Sequence, residues 1–313
     1  MYSLQQREEM ARIFNEIISK TEFSGVVNEA VADDFSEICK QQLIWWASQN
    51  GLINGRNKLI PIFSSIATNR KRDTGQFFHF KANIDIIKSI LQDRKVQLTA
   101  LKYHGENDHA EYSEFFKRSE YFDHFCDGNI QELKRKIFIL CLTKNFREKL
   151  FWENYAKKGT GACIVFRFEY KGDKQACYEL RDIGYDSGYR FDFISELRHK
   201  FLNEFDKELF IDGITKFAQF YKRDKYRWEN ESRLSFNFNI DSYKNCLESS
   251  FEIKSQKDDE GNIKREFIEL NFDDNPFFNL VIDEVICGAN MDDTVFENIK
   301  SLMPNIDVWK LQP

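Results

Sequence analysis

Two glutamates separated by one residue, Glu229 and Glu231, have the residue type and spacing best suited to chemistry, and Arg233 continues that spacing. On an extended segment these three side chains share one face. Carboxylates beside cations and a flat aromatic ring can bind a phosphate-bearing ligand that has a planar base. The same pattern is also typical of an exposed strand with its charges in solvent. The flanking residues that favour a binding site are Lys222, Arg223, Lys225, Arg227 and Trp228.

A histidine and a tyrosine are the next candidates. His79 lies in an aromatic segment, Phe77–Phe80, that has the composition of a strand. It is compatible with a ligand contact and with a core histidine whose ring nitrogens are satisfied. Tyr155 lies near a glycine-containing turn, at the end of a helix predicted over 148–157, and its polar tip is compatible with a ligand contact as well as with core packing. Thr143 follows the predicted strand 138–142 and precedes this helix.

The elements that must position these residues are short strands and helices without regular alternation. This order predicts an α+β fold, not a doubly wound sheet. The sequence contains no GxGxxG and no GxxxxGK[ST] motif, so neither a Rossmann site nor a phosphate loop is indicated. Further strands are predicted at 96–101, 162–168, 233–240, 280–287 and 308–311, helices after Asn83, over 191–222 and after Asp292 or Asp293, and a hairpin excursion at 241–275.

Length and charge limit the domain organisation and the partners. The 313 residues suffice for one large core with an extension. We expect a helical extension over 1–75, which ends in a basic linker at 69–75, and a single domain over 76–313. The net charge of −6 argues against a general polyanion binder but permits a local basic patch.

The cysteines and the apolar runs indicate the compartment. The seven cysteines have neither a CxxC pair nor metal-ligand spacing, which predicts reduced thiols and no metal site. The first residues lack the apolar core of a signal peptide, and no stretch approaches 18 consecutive apolar residues. We therefore expect a cytoplasmic protein without a membrane partner.

The order of these features over about 76–311 resembles a widespread bacterial family of unknown function that is grouped with the ADP-ribosyltransferase fold. The chain departs from the usual family pattern at one point, because it has His79-Phe80-Lys81 where His-Tyr-Thr is usual. The matching features, in chain order, are the His79 strand, the basic turn 91–95, Asn107-Asp108 with Glu111, the helix 151–156, the segment 161–166, Glu229-x-Glu231-x-Arg233 and the segment 285–288.

The resemblance implies an ADP-ribosyltransferase-like mixed sheet that uses NAD as its substrate. It implies that His79 contacts the nicotinamide ribose and that Glu231 is the catalytic carboxylate. Thr143 or Tyr155 would supply the element between them, with Tyr155 stacking on nicotinamide. Some members of the wider group are toxins of phage-defence toxin–antitoxin systems. An RNA acceptor, favoured over protein, and an antitoxin protein are therefore expected partners.

The chemistry explains why a carboxylate is required. Breaking the bond between nicotinamide and ribose develops positive charge on the ribose, and a fixed anion stabilises that state. Glu229 could position or deprotonate the acceptor, and Arg227 and Arg233 are assigned to the cofactor. Two alternatives remain at this point: an NAD glycohydrolase of the same fold, and a non-catalytic regulatory or binding protein.

Overall fold

A computed structural model describes the part of the chain that carries all of the candidate residues. The chain divides into two compact units, and each is described by itself. Unit 1 comprises Met1–Arg70, Ala110–Ile130 and Gly184–Asp224, and unit 2 comprises Lys71–His109, Gln131–Ile183 and Lys225–Pro313. The described residues are 5, 9, 12, 13, 16, 58, 59, 75–104, 106–118, 127–171, 177–185, 192–205, 208–209 and 218–312.

Within the described residues the chain forms strands and helices that are interspersed throughout. The strands are β1 Lys58–Leu59, β2 Phe77–Lys81, β3 Lys95–Ala100, β4 Ile137–Thr143, β5 Ala162–Tyr170, β6 Glu179–Asp182, β7 Gly184–Tyr185, β8 Glu208–Leu209, β9 Tyr221–Lys222, β10 Glu231–Asn237, β11 Lys254–Lys257, β12 Ile263–Asn271, β13 Phe278–Cys287 and β14 Asp307–Lys310. The α-helices are α1 Ile84–Asp93, α2 Glu106–Arg118, α3 Asp127–Arg135, α4 Lys149–Asn154, α5 Asp192–Phe205, α6 Asp241–Ser250 and α7 Asp293–Leu302.

Unit 2 is built on a ten-stranded mixed sheet in which most neighbours are antiparallel. Its longest path runs β11-β12-β3-β4-β2-β5-β13-β14, and β10 pairs with both β4 and β6. All of β4 pairs with β10, while β3 pairs with β4 at Phe138–Ile139 and β2 pairs with it at Thr143. Since a strand has only two edges, β2 and β3 share one edge of β4 and the sheet forks there.

The two faces of this sheet are covered by different elements. The larger apolar core packs the inward residues of β3, β5, β12 and β13 against α1, α6 and α7. A smaller cluster on the other side joins Phe78 of β2 to Trp152 and Ala156, which lie on and just after α4. The side of the sheet that carries α4 is the side on which the candidate site lies.

Most predicted elements of unit 2 are confirmed, and the mixed α+β class with them. Asn83 and Asp292 are the N-caps of α1 and α7, and each side chain accepts two backbone N–H bonds. In unit 1, the described part of the predicted helix 191–222 ends at Phe205, and Tyr221–Lys222 is a strand.

The predicted excursion at 241–275 is wrong in part. Its first residues form α6, and β12 is a full member of the sheet that pairs with β3 from Phe267 to Asn271. Ile268 and Leu270 alternate into the main core of unit 2 and are fully buried, although charged residues surround them. Only β11 and the turn to β12 form the expected hairpin.

The predicted N-terminal extension over 1–75 falls mostly outside the described residues. Residues 5, 9, 12, 13 and 16 are helical, and Lys58–Leu59 pairs in parallel with Glu208–Leu209 in unit 1. The predicted linker 69–75 also lies outside the description, except for its last residue, so the boundary at 75 stays a prediction. Across the described residues, no helix has the length and apolar character needed to cross a membrane.

Candidate active site

Strand β10, which carries Glu231 and Arg233, lies inside the sheet. All seven of its residues are buried, because β4 pairs with it on one edge and β6 on the other. The alternative of an exposed strand with its charges in solvent is therefore wrong. Charged side chains in such a position need partners within the protein.

Glu231 and Arg233 are partners of one another. They lie on the same face of β10, as predicted, and Arg233 Nε donates to Glu231 Oε1 at 2.8 Å. The second contact, from Nη2 to Oε2, is longer, at 3.5 Å. The side chains are only 1% and 4% exposed, so the pair has little screening by water. The geometry therefore fixes the Glu231 carboxylate in place.

Glu229 lies in a different local structure from the one predicted. It is not on an extended segment with Glu231 but ends a 3-10 helix, Asp224–Glu229. Asn230 then takes a left-handed conformation, φ 40°, before β10 begins. Asparagine is one of the few residues that tolerates this conformation. The same-face arrangement of Glu229 and Glu231 is therefore wrong, since the backbone turns between them.

Tyr155 holds the Glu229 carboxylate. Its hydroxyl donates to Glu229 Oε1 at 2.5 Å, across 74 residues of sequence. Glu229 is 4% exposed, whereas Tyr155 is 43% exposed. The tyrosine therefore connects a buried carboxylate to the surface, and the two residues chosen separately from the sequence are in contact.

Thr143 joins the end of β4 to the turn before β10. Its hydroxyl donates to the Glu229 carbonyl at 2.9 Å and accepts from the Asn145 amide at 3.1 Å. Thr143 is also the Cα partner of Glu231 in the β4–β10 ladder. Thr143 therefore supports both glutamates: its hydroxyl bonds to the backbone of Glu229, and its own backbone pairs with that of Glu231.

An aromatic wall, defined here as Phe80, Phe151, Tyr155 and Trp228, stands beside Glu229. Phe80 stacks on Phe151 with ring centroids 5.0 Å apart, and Phe151 lies 5.2 Å from Trp228. Trp228 lies 6.3 Å from Tyr155 at an interplanar angle of 31°. Phe151 is buried, while Trp228 is half-buried and Tyr155 is exposed. The wall therefore offers partly open ring surface next to the Glu229 carboxylate.

The wall includes two residues, Phe80 and Phe151, that the sequence did not single out. Phe80 is the middle residue of the segment His79-Phe80-Lys81. Phe151 lies four residues before Tyr155, and this spacing places the two rings on one side of α4. The position of Phe80 beside His79 and the spacing of Phe151 from Tyr155 can be read from the sequence, but among 31 phenylalanines they do not distinguish these two.

His79 lies apart from the carboxylates. Cα partners in an antiparallel ladder have side chains on one face, so Phe78, Thr143 and Glu231 share a face and His79 points from the other. Its ring lies 6.2 Å from that of Phe166, a main-core residue. Nδ1 donates to the Cys141 carbonyl at 2.8 Å. Within the described residues, Nε2 is buried without a hydrogen-bond partner.

The environment of His79 predicts acid sensitivity. Burial, reinforced by the nearby Lys81, lowers the pKa of His79 to about 3, although its bond to the Cys141 carbonyl acts in the other direction. Between about pH 6.5 and 3 the unfolded histidine is protonated and the folded one is not, so acid favours unfolding. We expect His79→Asn, which keeps a donor for Cys141, to flatten this dependence by up to ~1.4 kcal/mol per pH unit. Urea unfolding at pH 7.5 and 5 measures it, and equal slopes in both proteins would contradict it.

The cations that precede Glu229 in the sequence have two different environments. Arg227 is exposed within the 3-10 helix, two residues before Glu229. In unit 1, Arg223 instead donates to the fully buried Glu111, both from its side chain and from its backbone N–H. Lys222 is buried in the same unit. Arg227 is therefore a solvent-exposed cation close to Glu229 in the sequence, whereas Arg223 supports the fold of unit 1.

The Glu229–Tyr155 bond is expected to matter for rate more than for binding. Tyr155→Phe removes the hydroxyl but keeps the ring, so the Glu229 carboxylate loses a donor. A hydrogen bond to a charged group contributes ~1.5–3 kcal/mol, so we expect at least about a tenfold loss of any turnover in which Glu229 takes part. Tyr155→Ala should in addition raise KM, because the ring surface is lost. If Tyr155→Phe raised only KM, Glu229 would have no part in the chemical step.

The site as a whole offers two buried carboxyl groups, Glu231 held by Arg233 and Glu229 held by Tyr155, and a partly open aromatic surface beside Glu229. Across the described residues, no group of three or more His, Cys, Asp or Glu side chains is arranged to hold a metal ion. The chain matches no protein-family model, no curated protein and no solved structure.

Proposed function

We propose that the chain is an NAD-dependent ADP-ribosyltransferase that modifies a macromolecule, RNA in preference to protein. The observation that carries the proposal is the carboxylate pair: Glu231 is fixed by Arg233 and Glu229 by Tyr155. The nicotinamide ring of NAD is a planar cation. Aromatic faces and carboxylates attract such a ring by cation–π and charge interactions, so the site suits the reactive end of NAD.

Glu231 is the residue that promotes the first step. The bond between the ribose carbon and the nicotinamide nitrogen breaks, the electron pair goes to the nitrogen, and neutral nicotinamide leaves. Positive charge then develops on the ribose. The Glu231 carboxylate accepts a hydrogen bond from a ribose hydroxyl, which stabilises this charge more than the ground state.

Glu229 acts in the second step. The acceptor attacks the ribose carbon through an oxygen or nitrogen lone pair, and the proton released from it passes to the Glu229 carboxylate. The Tyr155 hydroxyl orients that carboxylate. Arg227 contacts a phosphate of the cofactor, and Thr143 keeps both glutamates at their separation through its bonds to the turn between them.

The cellular compartment, the biological role and the protein partner are proposed from the family resemblance. The chain acts in the cytoplasm as a toxin of anti-phage defence, and an antitoxin protein keeps it silent. Expression of the wild type is then expected to arrest growth, and Glu231→Gln to be harmless at the same protein level. Arrest by both proteins would exclude a catalytic toxin.

The acceptor is tested by incubating the purified chain with NAD labelled in its adenylate phosphate and with a cell lysate. Separate nuclease and protease digestions follow. We expect the label in large molecules to be lost after nuclease treatment and kept after protease treatment. The opposite result would make protein the acceptor. Release of free ADP-ribose at the same rate without lysate would indicate an NAD glycohydrolase.

A further inference from the structure

A groove of about 1010 Å³ lies against α4, and neither Glu229 nor Glu231 lines it. Phe151 of α4 and Tyr155 just after it belong to the aromatic wall, whereas Trp152, Glu153 and Asn154 line the groove. This volume is at the upper end of those that hold small ligands. An α-helix is ~10 Å across, so a ligand in the groove is about one helix diameter from the Tyr155–Glu229 pair.

The groove carries positive charge on a chain whose net charge is −6. Three cations line it, Arg147, Lys149 and Lys158. Lys149 is paired with Glu153, 3.3 Å away. Arg147 lies over the ring of Phe146, 5.6 Å from its centroid. Among the described residues no carboxylate forms an ion pair with Arg147 or Lys158, so both remain available to an anionic ligand.

The backbone at the end of the groove is held in an unfavourable conformation. Lys157, Lys158 and Gly159 are all left-handed, with φ of 47°, 55° and 79°. Two consecutive lysines in this region are rare, and such strain persists only where the surroundings enforce it. Asn290 does so here, since its side chain donates to the Lys158 carbonyl and its backbone N–H to the Gly159 carbonyl. The turn directs Lys158 to the groove and Lys157 to a separate pocket that includes Asn83.

We propose that this groove binds the phosphate backbone of a single-stranded RNA, which is the acceptor of the ADP-ribosyl group. The proposal rests on the proposed function for the choice of RNA. Unpaired cations beside aromatic rings are the elements by which proteins hold single strands, since phosphates meet the cations and bases stack on the rings. A strand held along α4 can extend past the helix to the carboxylates, where one of its nucleotides is modified.

The test is direct binding of a fluorescein-labelled, 12-nucleotide, mixed-sequence RNA to the full chain, measured by anisotropy without NAD. The key variants are Lys158→Gly and Arg147→Gln, and the matched control is Lys157→Gly. Glycine adopts the left-handed conformation without strain, so both glycine variants should fold and they have the same net charge. Circular dichroism and thermal melting check this.

We expect Lys158→Gly and Arg147→Gln each to weaken RNA binding about threefold or more. Each should also lower the slope of log K against log salt by about 0.7, the value for one contact to a single-strand phosphate. Lys157→Gly should leave both quantities close to those of the wild type. Equal effects of the two glycine variants, or no RNA binding by the wild type, would overturn the proposal.

Two competitors complete the test. Single-stranded DNA of the same sequence should compete less well than RNA, and polyglutamate should not compete. A DNA competitor as effective as RNA would overturn the assignment to RNA, and an effective polyglutamate would make an acidic protein the ligand. Because binding is measured without NAD, loss of the proposed activity and loss of the groove's function are separate results.

Discussion

Glu231→Gln is expected to lower the rate of nicotinamide release from NAD by ~10²–10³-fold, with little change in the affinity for NAD. The loss falls on the rate because the carboxylate interacts with the charge that develops as the glycosidic bond breaks. Glutamine keeps an oxygen that accepts from Arg233 Nε, and so the substitution changes charge more than shape. The measurement is kcat and KM for nicotinamide release, with NAD affinity checked by calorimetry.

Glu229→Gln is the matched control, since it removes a similarly buried carboxylate two residues away. We expect it to reduce transfer to the acceptor more than it reduces nicotinamide release, because Glu229 acts after the bond has broken. Equal losses of nicotinamide release in both variants would contradict the division of labour. A Glu231→Gln protein as active as the wild type would remove Glu231 from the mechanism altogether.

Arg233→Met is expected to destabilise the fold by ~3–5 kcal/mol, the cost that follows when one partner of a buried ion pair is removed. Arg233 is 1% exposed and lies within the sheet, so water cannot replace it around the Glu231 carboxylate. The measurement is the free energy of unfolding in urea, with Arg227→Met as an exposed control in the same segment. A loss of stability no larger than that of the control would mean that Glu231 does not depend on Arg233 for its compensation within the sheet.

The double variant Glu231→Leu with Arg233→Met separates stability from activity. Replacing a whole buried ion pair by apolar residues is often neutral or stabilising. We therefore expect the double variant to recover most of the stability that Arg233→Met loses, while it remains inactive with NAD. Recovery of activity together with stability would show that the carboxylate has no chemical role.

The strands and capped helices of unit 2 could be predicted because their signals are local. The apolar run ending at Leu142 predicts β4 from composition alone, and Asn83 before an amphipathic segment predicts the start of α1. The membership of β12 in the main sheet was not predicted, although Ile268 and Leu270 alternate with charged residues. Its burial depends on pairing with β3, more than 160 residues earlier in the chain, and no local pattern encodes that partner.

The candidate site could be predicted only in part for the same reason. Glu231 and Arg233 share a face because alternation in a strand is local. Glu229 was misplaced because a left-handed residue at Asn230 turns the backbone between the two glutamates. The bond from Tyr155 to Glu229 joins residues 74 positions apart. The burial of β10 requires both of its neighbours, β4 and β6, which a sequence pattern does not name.

The central proposal is that Glu231 promotes the breaking of the bond between nicotinamide and ribose. It is tested most directly by following NAD by proton NMR with the purified wild-type chain, with and without total RNA. The account predicts that free nicotinamide appears in the presence of RNA in step with ADP-ribose attached to that RNA, and that Glu231→Gln almost abolishes it. The proposal would be contradicted if NAD stayed intact under all three conditions: with RNA, with lysate protein, and with neither.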